Sequence, residues 1–137
     1  MHRRNTSLRV AGAALALAAL PVYAHAQIVN GSFEAPLGLG PGSFGYYDTI
    51  PGWTALKNTS HPGKIEIQRE NIAGTTPFGE QFLELDSNAS AHVYQDIATV
   101  VDGFYDVAFY YSKRGGVGDN SFLFDFGGQS TSFTLLD

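Results

Sequence analysis

The chain has 137 residues, of which 44% are hydrophobic and 15% are charged, with no cysteine and a formal charge of −5. These values indicate one small domain and exclude disulfide bonds, a thiolate nucleophile and Cys-ligated zinc or iron–sulfur sites. The negative charge argues against nucleic acid as a partner, and 16 Gly with 10 Phe and 7 Tyr favour short strands over helices or disorder.

The first 26 residues are predicted to form a signal peptide. Three arginines precede an apolar run at residues 10–20, and an A-x-A cleavage site follows at Ala24-His25-Ala26. The run is shorter than the roughly 18 to 20 residues that span a bilayer. We therefore expect a secreted domain of residues 27–137 with no membrane span after cleavage and a formal charge of −8.

Eight strand-like segments follow in the rest of the chain. Apolar and polar residues alternate along several of them, for example Ile65 and Ile67 against Glu66 and Gln68, which is typical of strands with one inward face. The segment 104–113 carries aromatics on both faces and predicts a central strand covered on both sides. Together they predict an all-β sandwich, with strands at residues 27–34, 52–56, 64–69, 81–86, 92–99, 104–113, 121–126 and 131–136.

Several of these segments carry a family resemblance. The opening Ile28-Val29-Asn30-Gly31-Ser32-Phe33-Glu34, followed by Ile50-Pro51-Gly52-Trp53, resembles the start of galactose-binding-like jelly-roll domains. A further ordered set is similar to family 642 of domains of unknown function: Ile65-Glu66-Ile67, Gly79-Glu80-Gln81-Phe82-Leu83-Glu84-Leu85, Tyr94-Gln95-Asp96-Ile97-Ala98-Thr99, Phe104-Tyr105, Phe109-Tyr110-Tyr111 and Arg114.

That family comprises exported, cell-wall-associated plant proteins and bacterial relatives that end in a PEP-CTERM sorting signal. The resemblance implies a galactose-binding-like jelly-roll β-sandwich that binds polysaccharide at the cell surface or in the matrix without turning it over. Members continue past the Gly127-Gly128 turn through more strands, so an end at Asp137 predicts a sandwich that lacks its last strands. Open sheet edges would then favour self-association or a partner's strand.

Aromatic residues supply the candidate sugar site. Sugar rings present apolar C–H faces to aromatic plates, and carboxylate, amide or guanidinium groups hold their hydroxyls. The predicted plates are Tyr46 and Tyr47, in a Gly-rich loop at residues 44–47, and Tyr94, and we name as ligand-binding candidates Tyr46, Tyr47, Trp53, Glu84, Tyr94, Gln95 and Arg114. Two alternatives stay open, because the only Trp of a small sandwich is more often a core residue than a platform, and Arg114 fits a structural ion pair equally well.

A metal site is suggested by resemblance alone. Jelly-roll carbohydrate-binding modules with an Asn-x-x-Phe-Glu opening use this Glu, here Glu34, and a late Asp to hold structural calcium, and Asp137 would be a stand-in for that Asp. A lone Glu on a solvated surface is the alternative for Glu34. Asp119 and Asn120 fit either oxygen ligands or a hairpin turn. His61 and His92 are expected to lie too far apart to form a zinc site.

Catalysis has a weaker basis in the sequence. The outward carboxylates Glu66, Glu84 and Asp86 would have to serve as the acid and base of a glycosidase, whereas outward acids on a secreted sandwich ordinarily face solvent. A Ser-His-Asp motif, a nucleophile elbow and a phosphate loop are all absent from the sequence. We therefore expect a non-catalytic binder, with a structural or interaction protein of the envelope as the alternative.

Overall fold

The computed structural model describes residues 27–70, 72–116, 118 and 120–135. Within these ranges all regular structure is β, and every strand pair is antiparallel. This confirms the predicted all-β class. The predicted signal peptide, Asp119 and Asp137 lie outside the described residues. The strands are β1 (Phe44–Tyr47), β2 (Thr49–Ile50), β3 (Trp53–Ala55), β4 (Ile65–Arg69), β5 (Gln81–Glu84), β6 (Val93–Tyr94), β7 (Asn120–Phe126) and β8 (Gln129–Leu135).

Two three-stranded sheets share one apolar core. The first sheet has the order β1-β4-β5 and the second has the order β2-β3-β6. Ile65 and Ile67 of β4 are fully buried and pack with Ile50 of β2, and further apolar side chains surround them, namely Phe33, Leu39, Tyr47, Trp53, Ala55, Leu83 and Val93. The alternation predicted for β4 and β5 therefore directs one face of the first sheet into this core.

The remaining two strands form a hairpin. β7 pairs with β8 over seven residue pairs, from Asn120 opposite Leu135 to Phe126 opposite Gln129. Gly127 and Gly128 form its two-residue loop with φ of 59° and 80°, the left-handed values that a tight hairpin loop needs and that glycine adopts without strain. The predicted strands at 121–126 and 131–136 are confirmed, with small shifts at their ends.

Two predicted strands are wrong. In the segment 27–34, Asn30 and Phe33 have φ of 52° and 62°, and the Phe33 N–H donates to the Asn30 carbonyl at 3.1 Å in a turn. In the segment 104–113, Phe104 alone forms a strand-like contact, an isolated bridge. Most aromatic side chains of this segment are exposed rather than covered, for example Tyr110 at 74%. The chain instead uses residues 44–47, which the sequence indicated as a loop, for β1.

The turn segment 27–36 connects both sheets through side-chain hydrogen bonds. The Asn30 side chain binds the N–H and the carbonyl of Ala35 at 3.0 and 2.7 Å, which holds the turn in place of a strand ladder. Toward the second sheet, the Trp53 indole N–H donates to the Asn30 carbonyl at 3.1 Å. Toward the first sheet, the Gln81 amide donates to the Phe33 carbonyl at 2.8 Å.

Candidate functional site

The face of the first sheet that points away from the core carries a row of polar side chains. Tyr46 of β1 lies opposite Glu66 of β4, and Glu66 lies opposite Glu84 of β5. Directly opposite residues of antiparallel strands point to the same side of the sheet, and neighbouring strands are about 4.8 Å apart. We call Tyr46, Glu66 and Glu84 the acidic row.

One guanidinium accompanies the two carboxylates of this row. Arg114 Nη1 lies 3.9 Å from Glu84 Oε2, and the Arg114 N–H donates to Asn120 Oδ1 at 3.0 Å, which fixes the backbone of Arg114 beside the start of β7. The ion-pair alternative for Arg114 thus describes its contact in this structure. A guanidinium paired at this distance still has N–H groups that can bind a ligand's oxygen atoms.

Glu66 is more deeply placed than an outward strand residue normally is. It is 5% exposed, and Gln68, two residues further on the same face, is 1% exposed. Gln68 Nε2 donates to Glu66 Oε1 at 2.9 Å, whereas Gln68 Oε1 is buried and has no hydrogen-bond partner. The expectation that Glu66 faces solvent is therefore wrong, because Gln68 and the neighbouring strands enclose it.

Tyr46 gives the row an aromatic surface. Its side chain is 43% exposed, and its ring meets the ring of Phe44 edge to face at 5.4 Å. Desolvation, followed by the charge of Glu66 and a hydrogen bond to it, raises the pKa of the Tyr46 hydroxyl, and Arg114 opposes this shift. The row therefore combines a half-exposed neutral phenol ring with two carboxylates and one guanidinium, the groups that hold sugar rings and their hydroxyls.

A wide groove adjoins the row. Glu84 and Arg114 line it together with Phe82, Phe109, Tyr110 and Phe122, and its volume is about 2670 Å³. Pockets for small ligands usually measure roughly 300 to 1,000 Å³. This space is larger, and core residues such as Trp53 and Leu83 line it as well, whereas Tyr46 and Glu66 do not, so it meets the row only at Glu84.

Two of the predicted aromatic residues belong to the core side of the sheets. Tyr47 packs against the Ile50, Ile65 and Ile67 cluster, and so does Trp53. The Trp53 ring also lies 5.2 Å from the ring of Phe33. The core alternative thus describes Trp53, and neither ring shares the face of the acidic row.

Gln95 and Tyr94 lie near the second sheet. Gln95 accepts from the Val29 N–H at 2.8 Å and donates to the carbonyls of Val29 and Gly52 at 2.9 and 2.7 Å, so its amide joins two backbone segments. Tyr94 pairs with Thr54 in the second sheet and is exposed. Of the seven predicted ligand-binding residues, the structure therefore brings together Tyr46, Glu84 and Arg114.

Glu34 makes protein contacts at the edge of the first sheet. Its Oε1 atom accepts from the N–H groups of Glu80 and Gln81 at 2.9 and 3.0 Å. In the part of the chain that the structure describes, no three His, Asp or Glu side chains gather as metal ligands would. Asn120, the other predicted oxygen ligand, donates to the Gly118 carbonyl at 3.0 Å as a turn residue does.

His61 and His92 are closer together than expected. Their ring centroids are 5.7 Å apart in an edge-to-face arrangement, and His61 Nδ1 is buried without a hydrogen-bond partner. The expectation of distant histidines is wrong because backbone hydrogen bonds bring the segments that carry them together, from Leu56 N–H to the His92 carbonyl at 2.9 Å and from Asn58 N–H to the His61 carbonyl at 3.2 Å.

Sequence reasoning named Glu66 only as a possible glycosidase carboxylate, and it named neither Glu66 nor Gln68 as a member of the ligand-binding site. The available signal was their alternation with Ile65 and Ile67, which places both polar side chains on the face opposite the core. That signal gives the face but not the cross-strand neighbours. The register with Tyr46 and Glu84 is what makes a site of them.

The fold and the site define an all-β protein of antiparallel sheets with a polar and aromatic face on its first sheet. No protein-family model matches this chain, and neither does any curated protein or solved structure. Among the described residues, no helix has the length and apolar character needed to cross a bilayer. The resemblance to family 642 therefore stays a prediction.

Proposed function

We propose that this chain is a non-catalytic carbohydrate-binding module that binds a polysaccharide at the acidic row. The observation that carries the proposal is the register that aligns Tyr46, Glu66 and Glu84 on one face of three adjacent strands, with Arg114 3.9 Å from Glu84. A sugar ring stacked on the exposed part of Tyr46 would reach carboxylate and guanidinium groups within one or two strand spacings, about 5 to 10 Å.

The open groove beside Glu84 supports binding over turnover. Glycoside cleavage needs two carboxyl groups on either side of one bond. Glu84 and Arg114 line the groove and Glu66 does not, so a bound chain would meet only one carboxylate of the row there. This geometry fits retention of a polymer.

Affinity electrophoresis against a panel of soluble polysaccharides tests the proposal. Replacing Tyr46 with Ala removes the aromatic plate and is expected to weaken binding about tenfold, whereas Tyr46→Phe keeps the ring and is expected to retain most of it. Loss of binding on Tyr94→Ala, with Tyr46→Ala unchanged, would place the plate on the second sheet and contradict the proposal. If the wild-type protein releases reducing sugars from a polysaccharide and Glu84→Gln does not, the protein is an enzyme and the proposal is wrong.

The fold family of the chain and its export are proposals as well. We propose a galactose-binding-like jelly-roll fold related to family 642, and export with cleavage after Ala26, on the ordered sequence motifs that carry the resemblance. N-terminal sequencing of protein recovered outside the cell would read Gln27-Ile28-Val29 if the cleavage assignment is correct. An intact Met1 on the exported protein would contradict it.

An interaction protein of the envelope or matrix is the second candidate. Within the described residues, β7 and β8 pair only with each other, so each has an outer edge open to a further strand. Leu123 on β7 is 64% exposed. Light scattering over a hundredfold concentration range would favour this candidate if the protein forms oligomers and binds no polysaccharide.

A further inference from the structure

We propose that the acidic row selects amino sugars in their cationic form, so that the ligand is a glucosamine-containing polysaccharide rather than a uronic acid polymer. The inference rests on the proposed function and names the ligand class of the same site. It depends on three observations, namely the charge of the row, a buried acceptor without a partner, and the distribution of donors around it.

The charge of the row is negative. Two carboxylates, Glu66 and Glu84, face a single guanidinium from Arg114, and the whole chain carries a formal charge of −5. A uronic acid unit at this face would place a third carboxylate beside the first two, which like-charge repulsion disfavours. A sugar ammonium would neutralise the excess carboxylate.

The unpartnered Oε1 atom of Gln68 favours a ligand that donates hydrogen bonds. It is 1% exposed, contacts Glu66 through Nε2, and leaves Oε1 without a donor. Exchange of its amide oxygen and nitrogen would set an oxygen against the Glu66 carboxylate, so the contact with Glu66 fixes the orientation. A buried acceptor without a partner is unfavourable, and a donor that enters beside Glu66 would remove this penalty.

Acceptors outnumber donors on this face. Each carboxylate offers about four lone-pair sites and Gln68 Oε1 about two, roughly ten in all, whereas the protein donors supply about eight hydrogens, one from the Tyr46 hydroxyl, two from the Gln68 amide and five from the Arg114 guanidinium. An ammonium group has three donors and no acceptor. A protonated amino sugar therefore matches this face better than a neutral acetamido sugar, which has one N–H and an added acceptor.

Isothermal titration calorimetry with three hexasaccharides tests the inference at mildly acidic pH and low salt. The probes are a β-1,4-linked glucosamine hexamer, its fully N-acetylated counterpart and a galacturonic acid hexamer. We expect the glucosamine hexamer to bind at least tenfold more tightly than the acetylated one, and the galacturonic acid hexamer to bind weakest. The preference for glucosamine should diminish in high salt, because the screening length falls from about 10 Å at 0.1 M to about 3 Å at 1 M.

Two variants change the charge of the row in opposite directions. Glu84→Gln is expected to weaken glucosamine binding about tenfold and binding of the acetylated hexamer only about threefold, because a neutral amide still binds hydroxyl groups but does not attract an ammonium. Arg114→Gln is expected to tighten glucosamine binding about threefold and to abolish what binding the galacturonic acid hexamer shows. Asp102→Asn, an equal charge change at an exposed turn position that does not line the groove, is the matched control and should leave all three affinities within about twofold.

The outcomes separate this inference from the proposed function. If the acetylated or galacturonic acid hexamer binds best and Tyr46→Ala weakens that binding about tenfold, the module and its site stand and the cationic preference is overturned. If neither the hexamers nor the polysaccharide panel bind, the proposed function fails as well. Far-UV circular dichroism and thermal melts confirm that each variant is folded, and the opposite response of Arg114→Gln keeps the test decisive should Glu84→Gln unfold.

Discussion

Replacing Gln95 with Glu is expected to destabilise the fold strongly while changing very little of the side chain's shape. The Gln95 amide donates to the carbonyls of Val29 and Gly52 at 2.9 and 2.7 Å and accepts from the Val29 N–H at 2.8 Å. A carboxylate keeps the acceptor but sets an anionic oxygen against both carbonyls. This removes the link between the segment 27–36 and the turn that precedes β3.

The magnitude follows from the number of lost donors. Each carbonyl left without its donor costs about 1 to 3 kcal/mol when buried, and the contacts of Gln95 are exposed, so we take the lower end and expect about 2 kcal/mol in total. For a domain of roughly 100 residues, each kcal/mol lowers the melting temperature by about 4 to 8 °C. Gln95→Glu should therefore melt about 10 °C below the wild type.

Thermal melts followed by circular dichroism measure this effect, and pH identifies its cause. The carbonyls disfavour the ionised form, so the introduced carboxyl should have a folded-state pKa above the ordinary value of about 4.3. The stability that the protonated carboxyl restores is fully present below the ordinary pKa of about 4.3 and is lost as the pH rises through the folded-state pKa. A variant that melts within 2 °C of the wild type and of Asp102→Asn at neutral pH, yet loses polysaccharide binding, would refute the reasoning and make Gln95 a ligand group.

Three further predictions concern the core, the acidic row and the edge of the first sheet. Ile67→Ala deletes a fully buried side chain and should lower the free energy of unfolding by about 2 to 5 kcal/mol in urea titrations; a loss below 1 kcal/mol would show that the two sheets do not share this core. The pKa of Tyr46 is raised above the ordinary tyrosine value of 10.0, so its neutral form stabilises the fold at pH values below 10.0, and this contribution is lost as the pH rises through the folded-state pKa. The difference in phenolate absorbance between wild type and Tyr46→Phe should therefore titrate with a midpoint above pH 10.0. A midpoint below pH 10.0 would contradict the contact with Glu66. Glu34→Ala leaves two N–H groups without their acceptor and should cost about 2 kcal/mol in the same urea titrations; a wild-type melting temperature that rises with millimolar calcium, and does not rise in Glu34→Ala, would instead establish Glu34 as a metal ligand.

The alternation of side chains predicted most of the first sheet. Ile65, Ile67 and Leu83 pack in the core as their period of two indicated. The segment 104–113 shows why this signal is incomplete, because its aromatic pattern is equally regular and yet it forms only one isolated bridge. A strand requires a partner that satisfies its backbone N–H and C=O groups, and the pattern within one segment does not name that partner.

β1 was missed for a steric reason. Gly45 lies among several glycines in the sequence and suggested a loop. In the structure, a Cβ atom at Gly45 would lie 2.6 Å from the Tyr47 hydroxyl and 2.9 Å from Cζ of the same ring. The absence of a side chain at Gly45 is thus what allows the Tyr47 ring to cover this part of the strand, so the glycine supports β1.

The candidate site was predictable in its chemistry but not in its assembly. Tyr46, Glu84 and Arg114 were identified by residue type, whereas Glu66, which lies between two of them, was assigned to a solvated face. Which residues are neighbours across strands depends on register, and a shift of one residue would place Ile65 or Ile67 between Tyr46 and Glu84. Register is set by long-range contacts that no single segment encodes.

The turn segment 27–36 also sets an order of events during synthesis. Val29 emerges from the ribosome before Gln95, its partner 66 residues later in the chain, and at roughly 5 to 20 residues per second this interval lasts about 3 to 13 s. Once Trp53 has been synthesised its indole can reach the Asn30 carbonyl, but the N–H of Val29 still lacks the amide that will accept from it. A chaperone or translocation machine that holds the segment 27–36 until Gln95 has emerged would therefore not compete with this contact.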